Sequence, residues 1–159
     1  MYQIGSFISY CGQGVCRIDD IRKMNFGKGE QDYLVIAPIV SSGATIYLAA
    51  DNPKARTKIR PILTKEEIDA ILSGVRKERM VWVNDRKARL SQFQQILSQS
   101  EPRGLILMAA CLQQRKEEKG LPSSELDLLH KAENMIDQEF AFVLDLPKQD
   151  IRQYILERI

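Results

Sequence analysis

Short apolar runs rich in Ile, Val, Tyr and Phe occupy positions 7–10, 14–21, 33–37 and 45–48, and glycine-bearing polar stretches separate them. The stretches CGQG, FGKGEQ and SSGA are turn chemistry, so the first sixty residues predict four short strands joined by tight turns. With no helix between the strands, the expected arrangement is a small antiparallel barrel or curled sheet, which buries one face and shortens its edges.

After Pro61 the pattern becomes helical. Thr64-Lys-Glu-Glu67 is a capping box that opens a short helix ending near Gly74. A second helix is expected over 84–99, with Leu90, Phe93 and Leu97 on one face. A third follows Ser100-Glu-Pro and stops near Gly120, carrying Leu105, Met108 and Leu112 before the charged run 115–119. The fourth, from Ser123 or Ser124 to about Leu144, has Leu128, Ala132, Met135 and Phe140 as its inward stripe. Asp145 and Pro147 predict the cap and first turn of a last helix reaching Arg158. The expected fold class is therefore α+β in two domains, a β domain over 1–60 and an all-α helical bundle over 61–159.

Composition is that of an ordinary globular protein: 159 residues, 44% hydrophobic and 28% charged, enough for a core without metal or disulfide support. The three cysteines, Cys11, Cys16 and Cys111, form no CxxC pair and stand beside no histidine cluster, which points to a reducing compartment and away from a zinc site. The start MYQIGSFISY lacks a basic stretch followed by an apolar run, and the longest apolar stretch, 105–112, is too short to span a bilayer. A cytoplasmic location is expected.

Charge is uneven along the chain. Residues 54–89 hold eleven basic and five acidic side chains, a surplus of six, while the whole chain carries +2, leaving −4 elsewhere. A positive centre suits a polyanionic partner, although a solvated surface gives the same count. If the segment 54–60 is extended, Lys54, Arg56, Lys58 and Arg60 fall on one side, where they either reach DNA or guard an edge strand.

Catalytic chemistry finds no foothold, and the protein is not expected to be an enzyme. His130 is the single histidine and its neighbours Asp127, Lys131 and Asn134 look like a helix surface. The glycines of GQG and GKG lack the lysine-serine or lysine-threonine ending of a phosphate loop. Adjacent acids such as Asp19-Asp20, Glu66-Glu67 and Glu117-Glu118 point in different directions on a strand or helix. No Glu-x-x-His pair of the di-iron kind is present.

The order of motifs resembles the CarD-like family. IGSFISYCGQGVCRIDDI is similar to the family's opening strand pair, and GEQDYLVIAP to its Tyr-Leu-Val-Leu strand. IYLAADNPKARTKIRPILTKEE resembles the passage into its helices, VWVNDRKARLSQFQQIL its tryptophan followed by a basic helix, and GLPSSELDLLHKAENMI a later helix. The likeness covers the whole chain. It departs at Ser6 and Cys11, where the family has aspartate and proline, and at Asn84 and Asp85, where it often carries arginine.

This resemblance implies a bacterial, monomeric transcription regulator without a cofactor. Its N-terminal Tudor/SH3-like β-barrel would bind the RNA polymerase β subunit by adding a strand to a sheet edge, and its helical domain would hold promoter DNA and stabilise the open complex. On this chain the polymerase-binding strand is expected at Thr45, Ile46, Tyr47 and Leu48, since strand addition needs a free edge. By periodicity alone the same strand also fits a barrel core. Trp82, between Val81 and Val83, reads as core by itself; the resemblance makes it a wedge in the DNA minor groove, with Arg86, Lys87 and Arg89 binding phosphates largely without regard to sequence. Two other readings remain: a polymerase-associated adaptor whose helices bind protein rather than DNA, and, less favoured, an RNA-binding barrel.

Overall fold

The computed structural model describes residues 2–11, 13–40 and 44–159. The chain divides into two compact units, Met1–Ile62 and Leu63–Ile159.

The first unit is a five-stranded antiparallel sheet: β1 (Phe7–Tyr10), β2 (Gly14–Asn25), β3 (Glu30–Pro38), β4 (Ile46–Ala49) and β5 (Ile59–Pro61), in the order β4-β3-β2-β1-β5. The β2–β3 hairpin is its spine, paired from Cys16 opposite Pro38 to Asn25 opposite Glu30. Both strands run beyond the expected 14–21 and 33–37. Met24 is the one apolar residue of the extension, where Lys23, Met24 and Asn25 face Asp32, Gln31 and Glu30, so it lacks the alternating apolar signal by which a strand is read. At its turn Gly27 and Gly29 take positive φ values of 99° and 90°, which side-chain-bearing residues rarely adopt. A register shift between Ile18 and Asp20 marks a bulge that bends the hairpin. Ile8, Cys16, Ile18, Leu34, Ile36, Leu48 and Ile59 form the core.

Two expectations change here. Among the described residues the sheet is open rather than a closed barrel: β4 pairs only with β3 and β5 only with β1. The segment after Asn52 is not extended, because the Asn52 side chain accepts from Lys54 N at 2.9 Å and starts the helical turn α1 (Pro53–Arg56). The alternation of cations from 54 to 60 is thereby broken, and Arg56 turns back to the Ala50 carbonyl at 2.8 Å and to Asp51. The predicted turns CGQG and SSGA fall in part outside the described residues, at Gly12 and at 41–43.

The second unit holds α2 (Lys65–Val75), α3 (Arg86–Gln99), α4 (Pro102–Lys119), α5 (Ser123–Leu144), a 3-10 turn (Lys148–Asp150) and α6 (Ile151–Leu156). Thr64 caps α2 by accepting from Glu67 N at 3.1 Å. Ser100 in the left-handed region closes α3, and Glu101 opens α4 by accepting from the amides of Arg103 and Gly104. Phe93, Met108, Leu112, Leu129, Phe140 and Ile151 are the large side chains at the centre of this core. The Leu63 amide donates to the buried Glu139 side chain at 2.9 Å, which fixes the chain to α5 where the unit begins. Asp145, expected to cap the last helix, instead ends α5 in the left-handed conformation, and Pro147 precedes the 3-10 turn.

Candidate functional site

In the sheet unit β4 is an edge strand, so its outer backbone groups are available to a further strand. Leu48 is buried and Ile46 half-buried on the core side, whereas Tyr47 is 44% exposed on the other face. Thr45 is exposed and lies just before the strand. Register places Asp20, Val35 and Tyr47 in one row, and Arg22, Tyr33 and Ala49 in another two rungs along. Phe26, 62% exposed in the hairpin turn, meets Tyr33 edge-on at 5.0 Å between ring centroids and Tyr47 at 6.5 Å. Three aromatic rings thus gather beside the open edge. Phe26 meets Tyr33 across the hairpin, whose turn runs through Gly27 and Gly29 at positive φ. On the same face Arg22 donates to Asp20 at 2.6 Å, and this hydrogen bond holds the Asp20 carboxyl below its ordinary range and raises Arg22.

In the helical unit the segment before α3 brings Trp82 against the core. Its ring is half-buried, 6.4 Å from the Phe93 ring centroid. The Arg89 guanidinium lies over it at 4.4 Å, and that of Arg115, from α4, at 4.7 Å. Arg89 is held from within: Nε and Nη2 donate to Glu125 Oε1 at 3.0 and 2.6 Å, and Nη1 to the carbonyls of Val83 and Asn84 at 2.9 and 3.3 Å. Its side chain is 10% exposed and that of Glu125 2%. Arg89, expected to bind phosphate, instead has its charge matched inside the protein and four of its five N–H donors engaged there. Sequence could not show this, since Glu125 lies on a different helix 36 residues away.

Arg86 and Lys87 are exposed at the start of α3, with Arg86 Nη2 3.5 Å from the Ser124 hydroxyl. Asp85, where the family often carries arginine, is the helix cap: its carboxylate accepts from Ala88 N at 3.0 Å. Arg76, Lys77 and Arg79 are exposed ahead of this segment, and Val81, beside Trp82, is 81% exposed. The expected DNA-binding set thus divides into two solvent-facing cations, a half-buried tryptophan and one internal arginine. His130 is exposed on α5. Among the described residues no group of three metal-ligating side chains forms, and no helix is long and apolar enough to cross a membrane.

Residues 2–63 match the family model of the CarD-like/TRCF RID domain. The N-terminal unit is a CarD-like RID domain. The match covers the whole sheet and ends just before α2, and a RID domain implies RNA polymerase as its partner. No curated protein matches the chain.

Proposed function

We propose that this protein is a transcription regulator that holds the RNA polymerase β subunit through the RID domain and promoter DNA through its helical unit, stabilising the open complex. The observation that carries the reading is the RID match over a sheet whose β4 edge is open and flanked by Tyr47. In this reading the curled sheet serves as the Tudor-like module, and an extended β-subunit segment pairs with β4 while the Phe26, Tyr33 and Tyr47 rings cover its apolar side chains. Exposed Arg86 and Lys87, with Arg76, Lys77 and Arg79 nearby, bind phosphates of the upstream duplex. Trp82 and exposed Val81 form the apolar element set against the minor groove. Domain roles follow: residues 1–60 bind polymerase and 61–159 bind DNA.

The test is retention of polymerase and open-complex lifetime measured on one set of proteins. Tyr47→Asp is expected to lose polymerase while keeping DNA binding, and Arg86→Ala with Lys87→Ala to keep polymerase and shorten the open-complex lifetime. If the wild-type protein retains polymerase yet shows no affinity for DNA at low salt, the adaptor reading replaces this one. Failure to retain the β subunit removes the reading altogether.

A further inference from the structure

The two arginines on Trp82 are not equivalent. Arg89 is fixed by four hydrogen bonds, two of them to buried Glu125. Arg115 is half-buried near the end of α4 and, among the described residues, has no hydrogen-bond or ion-pair partner; its contact is the indole ring at 4.7 Å. A guanidinium held by a partly solvated ring alone is readily exchanged for a charge-assisted bond to phosphate, whereas one locked by a buried carboxylate is not.

We propose that Arg115 is a DNA-binding residue of the helical unit, and that its move from the Trp82 ring to a phosphate uncovers the indole for contact with DNA. The inference rests on the DNA-binding reading above and supplies the cation that Arg89 does not. It also explains how a tryptophan packed on the core serves as an apolar contact: Phe93 and Arg89 hold it in place, while Arg115 covers it in the free protein and leaves on binding. Phosphate capture and ring exposure are then one event, so the apolar surface is shown only where a polyanion is present.

Trp82 is the single tryptophan, so intrinsic fluorescence reports on this ring alone. The full chain, Arg115→Gln and Arg115→Lys are titrated with a short labelled duplex over a range of salt concentrations, and quenching by acrylamide is followed with and without DNA. Arg115→Gln is expected to flatten the salt dependence by about one unit of slope, as loss of one phosphate contact does. Without DNA its Trp82 should be more quenchable than in the wild type. Arg115→Lys keeps the charge and should keep the wild-type slope, which separates lost contact from damage to the fold. Wild-type binding with the same slope in Arg115→Gln overturns the proposal, as does equal quenching of Trp82 in the two free proteins. Absence of duplex binding by the wild type is a different result, which removes the DNA-binding reading itself.

Discussion

Arg89 shows how one residue type serves opposite ends in one stretch of chain. Three residues after exposed Arg86 and two after exposed Lys87, it is folded inward onto Glu125. Breaking such a pair leaves a buried charge without its counterion, which typically costs about 3–5 kcal/mol. Both Arg89→Ala and Glu125→Ala are expected to lose stability on this scale in denaturant unfolding, with the salt dependence of DNA binding unchanged where the variants remain folded. A small stability change accompanied by a flatter salt slope would return Arg89 to the DNA interface.

Cys16 offers a second residue-scale test. Buried in the sheet core, its thiol is pushed up to about 11 from an ordinary 9.0, because burial penalises the thiolate. The protonated thiol is thus favoured by folding, and its contribution is complete below pH 9.0 and lost as pH rises through about 11. Stability of the sheet unit should fall across that window in the wild type and fall less in Cys16→Ala. At pH 8 a thiol reagent should leave Cys16 unmodified in the folded protein. Rapid labelling there would show that the core opens far more often than its burial implies.

At the scale of elements, local side-chain chemistry decides where most helices begin. Thr64→Ala removes the cap of α2 and should cost about 1 kcal/mol, read in the unfolding of the helical unit. No loss would mean that Leu63 and its bond to Glu139 hold the start of α2 without the cap. The capping box, the Ser100-Glu-Pro turn and Gly120 are legible in sequence because each acts within a few residues. The polar overhang of the β2–β3 hairpin and the three-residue β5 are not, since neither carries a periodic apolar signal. The site divides in the same way. A tryptophan ahead of a basic helix stands out in the chain, but Glu125, Arg115 and the Phe26–Tyr33–Tyr47 rings reach their partners only through packing between distant segments.

At the scale of the whole molecule, the described residues form two cores with no buried residue in common. Among the described residues seven form the core of the sheet and seventeen that of the helices. Smaller cores are less stable, so the sheet unit is expected to unfold first. Urea titration should give two transitions, the Trp82 signal changing only in the second, because that ring belongs to the helical unit. A single transition seen alike by circular dichroism and by Trp82 would show that the units unfold as one.

The β2–β3 hairpin outruns its neighbours. β1 accompanies β2 only from Gly14 to Arg17, and β4 accompanies β3 only from Tyr33 to Ile36. The rungs Met24 opposite Gln31 and Asn25 opposite Glu30 are therefore two strands wide, and their inter-strand bonds open without disturbing the core. Backbone amides there should exchange with deuterium far sooner than those around Ile18 and Ile36, which lie in the buried part of the sheet. If polymerase settles on the aromatic rings at the β4 edge, this tip is clamped through Phe26, and slowed exchange there gives a footprint of docking at a distance from the paired backbone itself.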